Sequence, residues 1–493
     1  MKMNETPASL NVDPEQPSRR DVLAGGAGFL AAVAGLGMLA PGARAQAAPR
    51  PHIVYIIADD LGYADVGFRG SDVKTPNIDR LAQTGARLGQ FYTQPLCTPT
   101  RAALMTGRYP LHYGLQVGAI PSGAAYGLAV DEYLLPQALK EVGYRTSLVG
   151  KWHLGHAKRE FWPRQRGFDK FYGALVGEID HFKHEAHGVL DWYHDNKPVR
   201  EKGYDTELFG KEAVRQIRAH NPKVPLYLNL SFTAPHTPFQ APQAYVDRYA
   251  HIADPLRRVY AAMVTCMDDQ IGKVVAALEE REMRDNTLII FHSDNGGTRS
   301  KMFVGEGAVA GDLPPQNTPY REGKGSLYEG GTRVVALANW PGRIAPGAAE
   351  GAMHVVDMLP TLAKLAGASL AKSKPLDGVD VWPAMAAGQA GRSQFVYNVE
   401  PTQGAVRDGK WKLVWQVVLP PRVELFDIEA DPSEKNDLSS QNPEKVKELQ
   451  EKVVAVARTM APPMFYMAAL KATLSAPLST PGGALMQMGK EED

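Results

Sequence analysis

Apolar residues along this chain fall into two kinds of segment: short continuous runs, and longer stretches in which they recur every three or four positions. His52-Ile53-Val54-Tyr55-Ile56-Ile57-Ala58 is a continuous run, as in a strand buried on both faces, and it stops at Asp59-Asp60. Thr75-Pro76-Asn77 then opens a helix by capping logic, with Ile78 and Leu81 on its apolar side. The pattern predicts a helix after Cys97, a helix over 135–142, a strand over 145–149, a helix over 205–219 and a strand over 226–232. It continues with a long helix over 255–282 and strands over 287–291 and 333–337. Strands alternating with helices predict an α/β fold with a large, doubly wound, mostly parallel sheet.

The rhythm changes near 388–392. Segments 395–399, 404–407 and 411–418 read as short antiparallel strands, Glu424-Leu425-Phe426-Asp427 follows, and 444–458 is a charged helix. The layout is therefore an N-terminal segment over 1–47, a large α/β domain over 48–390, a smaller α+β domain over 391–459 and a tail over 460–493 without clear periodicity. No internal repeat is present.

Composition narrows the class. The chain has 493 residues, 44% of them hydrophobic, enough for a large core. Lys plus Arg equals Asp plus Glu at 54 each, which gives no basic excess for binding nucleic acid. Cys97 and Cys266 are the only cysteines, so no disulfide framework is implied. Cys266 sits among Met263, Val264 and Met267 on the long helix and reads as core. At the N-terminus, Ser18-Arg19-Arg20 precedes an uncharged stretch over 22–43, then the small-residue sites Ala43-Arg44-Ala45 and Ala45-Gln46-Ala47. This is the pattern of a twin-arginine export signal. A membrane anchor is the alternative, because the stretch is long enough to span. The glycines, Pro41 and the cleavage sites favour removal, leaving no stable membrane span in the mature form.

Polar clusters follow four of the strands: Asp59-Asp60, then Gly150-Lys151-Trp152-His153-Leu154-Gly155, Ala234-Pro235-His236-Thr237-Pro238 and Ser293-Asp294-Asn295-Gly296-Gly297. Each alone passes for a turn. In open parallel sheets, however, ligands bind at the carboxyl ends of strands. Together these clusters supply three carboxylates and an amide oxygen, a hard-oxygen set suited to Ca²⁺ or Mg²⁺ rather than zinc. Lysines and histidines around them suit a tetrahedral anion. Cys97 stands where a helix starts, facing unpaired N–H groups and the positive end of the dipole, with Pro99 in the first turn and Arg101 beside it.

Cys97, Pro99, Arg101, Leu104, Thr106, Gly107 and Arg108 match C-x-P-x-R-x-x-L-x-T-G-R, and the segment resembles the sulfatase signature. With Lys324, Tyr328-Glu329-Gly330-Gly331-Thr332-Arg333, Glu424-Leu425-Phe426-Asp427 and Asp431-Pro432, the blocks over 52–438 are similar to sulfatases of the alkaline-phosphatase-like superfamily. Residues 150–156 and Arg166-Gly167-Phe168-Asp169 most resemble the arylsulfatase B, or N-acetylgalactosamine-4-sulfatase, branch and bacterial arylsulfatases. One departure stands in the signature: Thr100 replaces the usual Ser.

The resemblance implies that a formylglycine-generating maturation enzyme oxidises Cys97 to formylglycine (3-oxoalanine), whose hydrate is the nucleophile. It implies one Ca²⁺, with Mg²⁺ the alternative, held by Asp59, Asp60, Asp294, Asn295 and modified Cys97. Arg101 and Lys151 steady the hydrate, and Lys151, Lys324 and His236 bind sulfate oxygens. Asp294 accepts the attacking hydroxyl's proton, His236 with Lys324 protonates the leaving alcohol, and His153 takes the second hydroxyl's proton to expel sulfate. The substrate is an aryl sulfate or a sulfated sugar. Export through the Tat translocon carries folded proteins, which would allow Cys97 to be converted in the cytoplasm before export to a periplasmic or secreted destination. His181, His184, His187 and His194 fit no compact zinc spacing and read as a polar loop near the pocket mouth, with His156 behind the site. Two rivals remain: a phosphodiesterase or phosphonate monoester hydrolase of the same superfamily, and a non-catalytic protein that binds sulfated glycans.

Overall fold

The computed structural model describes residues 50–304, 311–417 and 420–475. The export signal expected over 1–47 and the end of the 460–493 tail lie outside them.

A ten-stranded mixed sheet forms the centre. His52–Ala58 is its middle strand, paired in parallel with Leu226–Ser231 on one side and Thr287–Ser293 on the other. Arg145–Gly150 and Lys170–Gly173 extend the parallel part. The period of two is visible in the packing. Ile53, Tyr55 and Ile57 enter one core with the Cys97 helix and helix Met358–Ala366. Val54, Ile56 and Ala58 enter the opposite core with helices Asp205–Arg218 and Pro255–Glu280. Burial on both faces explains why the strand is a continuous apolar run. Cys266 is fully buried on the long helix, with Met263, Val264 and Met267.

The register positions the site. Ala58 is level with Ser293, Ile57 with Ser231, and Ser231 with Gly150. Asp59, Lys151 and Asp294 therefore leave the sheet at one edge. Backbone bonds join these ends: Asp59 N donates to Ala234 O at 3.0 Å, Lys151 N to Ser231 O at 2.8 Å and Asp294 N to Ala58 O at 3.0 Å.

One strand differs from the sequence expectation. It spans Ala336–Asn339 rather than 333–337, and it runs antiparallel to Thr287–Ser293. Arg333 ends the short helix Glu329–Thr332 and forms an isolated bridge to Tyr92, which delays the strand.

A separate four-stranded antiparallel sheet follows, from Gln394–Val399 to Arg422–Asp427, covered by helix Pro443–Ala457. Its attachment combines an apolar core, in which Tyr92, Leu327 and Tyr328 pack with Phe395, Tyr397, Val414 and Phe426, with a buried polar cluster. Lys412 Nζ lies 2.9 Å from Glu329 and 2.8 Å from Glu434, and Tyr397 donates to Glu329 at 3.0 Å. Beyond it, Met464–Ser475 is a helix that the sequence pattern did not predict.

Candidate active site

Every residue of helix Cys97–Thr106 is buried, and Cys97 begins it, so the Sγ lies at the helix N-terminus beneath the strand ends. The Sγ is 3.6 Å from Asp59 Oδ1. Ligand atoms of Asp59, Asp60, Cys97 and His236 lie within 4.8 Å of one another. Thr100, the departure from the signature, donates its hydroxyl to Gln94 O at 3.0 Å, a bond that a serine hydroxyl also makes.

The carboxylates are matched by cations. Lys151 Nζ is 2.6 Å from Asp59, and Lys324 Nζ is 2.8 Å from Asp60. Arg101 grips Asp294 through Nη2 at 2.8 Å and Nε at 3.2 Å, and its Nη1 donates to Ser231 Oγ. Asp60 also accepts from Asn295 Nδ2 at 2.7 Å and Thr298 Oγ1 at 2.8 Å. Asn295 Oδ1 is buried without a partner.

These surroundings set the protonation states. Burial alone would raise the Asp60 carboxyl, but the Lys324 charge, His236 and bonds from Lys324 and Asn295 hold it below the usual range. Asp294 goes the other way: burial and the Asp59 charge raise it to about 6 despite Arg101. Burial pushes the Cys97 thiol far up, against the pull of Lys151 and Lys324. An unmodified thiol here stays protonated and is a poor nucleophile.

The two site histidines have distinct tautomers, set by their partners. His153 Nε2 lies 3.1 Å from the Ile120 carbonyl, which can only accept, so Nε2 carries the proton. Its Nδ1 is buried and unpartnered. His236 Nδ1 lies 2.7 Å from the Thr237 carbonyl, and its Nε2 faces Lys324 Nζ at 3.1 Å. Burial and the Lys324 charge lower His236 to about 4, so it is neutral and accepts from Lys324. Asp60 and His153 both have left-handed backbones, with φ of 63° and 56°. Such conformations cost about 1–3 kcal/mol each and cluster at functional sites.

A cavity of about 320 Å³ opens above Cys97, His153, His236 and Lys324. The strand-end clusters of Asp59, Asp60, Lys151, His153, His236, Asp294 and Asn295 thus converge with Cys97, Arg101 and Lys324. Thr298, Ser231, Glu178 and Phe465 join the site or its cavity without having been singled out. Thr298 and Ser231 carried a signal, as polar residues beside a strand end.

The histidine-rich loop divides. His187 lines the cavity, while His181 is buried between Asp205, 2.8 Å away, and the His236 carbonyl at 3.0 Å. His184 stacks on Trp192, and His194 is exposed. Among the described residues, these four form no group with metal-ligand spacing. His156 lies 2.6 Å from the Ser122 carbonyl and holds the neighbouring loop.

Comparison with known proteins agrees with this geometry. The family model described as Sulfatase matches residues 51–368. Arylsulfatase J of Mus musculus is 33% identical over 86% of this chain and 78% of its own length. N-acetylgalactosamine-6-sulfatase of Mus musculus is 32% identical over 78% of this chain and 75% of its own. The crystal structure of Ps i-CgsB in complex with k-i-k-neocarrahexaose superposes with a TM-score of 0.76 at 36% identity, covering 84% of this chain and 94% of that one. With the signature cysteine seated among strand-end carboxylates and lysines, and with relatives matching over most of its length, the chain belongs to the sulfatase family, enzymes that hydrolyse sulfate esters.

Proposed function

We propose that the protein is a sulfuric ester hydrolase acting on sulfated saccharides or aryl sulfates, with Cys97 converted to formylglycine and one divalent cation, Ca²⁺ or Mg²⁺, at its centre. The observation that carries this reading is Asn295, whose Oδ1 is buried and unpartnered while its Nδ2 donates to Asp60 at 2.7 Å. A bare amide oxygen in that position costs stability unless a ligand takes it. A cation held by Asp59, Asp60, Asp294, Asn295 and residue 97 would satisfy it with the hard-oxygen donors that Ca²⁺ and Mg²⁺ prefer. Such a cation supplies charge withdrawal from the sulfate.

The chain's own residues supply the rest. A hydrated aldehyde at position 97 offers two hydroxyls, one to attack sulfur and one to drive sulfate out afterwards. The elevated carboxyl of Asp294 suits it as proton acceptor for the attacking hydroxyl. Lys151 and Lys324 neutralise sulfate oxygens. On the leaving-group side, His236 is neutral and accepts from Lys324, so the available proton is the Lys324 ammonium's, delivered directly or through His236 Nε2. His153 Nδ1 is unpartnered and burial keeps its imidazole neutral, which suits it to take the second hydroxyl's proton. The Ps i-CgsB complex with an oligosaccharide favours a saccharide substrate. Conversion in the cytoplasm followed by twin-arginine export to the periplasm rests on the N-terminal sequence. No helix among the described residues is long and apolar enough to cross a membrane.

The test is turnover of paired sulfate and phosphate esters before and after chelation. Sulfate turnover that is lost on chelation and restored by Ca²⁺ or Mg²⁺ supports the reading. Faster turnover of the phosphate diester favours the phosphodiesterase rival. Sugar-sulfate binding without turnover favours the binding-protein rival.

A further inference from the structure

The signature leaves position 98 open, yet in this chain Thr98 is fully buried and its hydroxyl both donates and accepts. It donates to the His153 carbonyl at 3.0 Å and accepts from the Ile120 amide at 3.1 Å. The Ile120 carbonyl in turn accepts from His153 Nε2 at 3.1 Å. Three hydrogen bonds therefore close a ring through Thr98, Ile120 and His153. The ring holds the histidine's backbone through Thr98 and its imidazole through Ile120. It joins helix Cys97–Thr106, the loop 118–122 that lines the cavity, and the strand-end segment carrying His153. Thr98 is the residue directly after the nucleophile position, so the base is tied to the same helix start as residue 97.

His153 needs such a hold. Its φ of 56° is left-handed, a conformation that persists where the surroundings over-determine it. The His153 amide donates to Leu175 O at 3.1 Å, so Leu175 fixes its N–H and Thr98 its C=O. Among the described residues, Ile120 O is the one hydrogen-bond partner of the imidazole. No helix or strand lies between Tyr113 and Leu135, so no ladder holds that carbonyl in place. The bond from the Ile120 amide to Thr98 does so instead.

We propose that Thr98 is a positioning residue for the second half of the reaction: its hydroxyl fixes His153 Nδ1 relative to residue 97, so that release of sulfate, and not release of the alcohol, depends on it. This rests on the sulfatase reading above. In that half Nδ1 takes the proton of the remaining hydroxyl on residue 97, the aldehyde C=O forms, and the C–O bond to sulfate breaks with its electron pair leaving on sulfate.

The test compares the full-length wild type with Thr98→Val, which keeps the shape and loses the hydroxyl, and Thr98→Ser, which keeps the hydroxyl. The mass of the residue 97 peptide is measured in each preparation, and rates are expressed per aldehyde. With 4-nitrophenyl sulfate, Thr98→Val should lower kcat about ten- to thirtyfold. It should lower KM by a similar factor and leave kcat/KM within about twofold, because only the second half is slowed. A burst of about one 4-nitrophenol per aldehyde should precede the steady rate. Thr98→Ser should restore the wild-type kcat. A purely structural role would lower kcat/KM without a burst, and that result overturns the proposal. Hydrogen exchange of the amides over 118–122, read on the same proteins whether converted or not, should quicken about tenfold in Thr98→Val. Unchanged exchange also overturns the proposal. Wild type that hydrolyses no sulfate ester overturns the sulfatase reading instead, and the exchange result then decides by itself whether Thr98 holds the loop.

Discussion

The imidazole of His153 lies directly against the backbone of Gly177: a Cβ added there would stand 2.2 Å from His153 Cε1. The ring is held by this contact and by the Ile120 carbonyl, which takes the Nε2 proton and leaves Nδ1 unpartnered. Gly177→Ala should displace the ring and lower kcat about ten- to a hundredfold, since small misplacements of reacting groups carry costs of that order. The melting temperature measured alongside separates displacement from unfolding. Unchanged kcat would remove His153 Nδ1 from the mechanism.

Lys412 is enclosed with Glu329 and Glu434, and all three side chains are buried. Removing the cation leaves two carboxylates without their shared partner. Lys412→Met should therefore destabilise the protein by about 3–5 kcal/mol in chemical denaturation. The triple change Glu329→Gln, Lys412→Met, Glu434→Gln should recover most of that loss, because it removes the uncompensated charge with the partner.

Much of this was legible beforehand, and what was not has physical causes. Asp59, Lys151 and Asp294 could be grouped because each follows an apolar run that reads as a buried parallel strand, and strand ends share an edge. The need for glycine at position 177 left no local trace, because it comes from a ring on another segment. The tail helix was missed because Met464–Ser475 is mostly apolar without a polar face, and it is anchored by backbone bonds to Leu111 and Gly114 rather than by periodicity. Phe465 was invisible for the same reason. The strand expected over 333–337 was misplaced because Arg333 is taken up by the preceding helix turn and the bridge to Tyr92.

Asp191 gives a pH test away from the reacting groups. Burial raises its carboxyl to about 6, although the Val176 and Leu175 amides pull it down. A carboxyl raised on folding contributes stability fully below its unfolded value, and that contribution is lost as pH rises through the folded value. The loss between about pH 4 and pH 7 amounts to roughly 3 kcal/mol at most. Asp191→Asn keeps an acceptor for the two amides and cannot ionise. It should match wild type near pH 4 and exceed it by roughly 2 kcal/mol near pH 7.5 in urea denaturation. Parallel stability curves for the two proteins would contradict the assignment.

The chemical identity of residue 97 is the centre of the account. The thiol is buried, held protonated and placed at a helix start between Asp59 and the lysines. The most direct measurement is mass spectrometry of the peptide spanning residue 97, taken from active enzyme made in its native host. The account predicts the mass of the aldehyde or its hydrate in place of the thiol. An unmodified cysteine in fully active enzyme would contradict it.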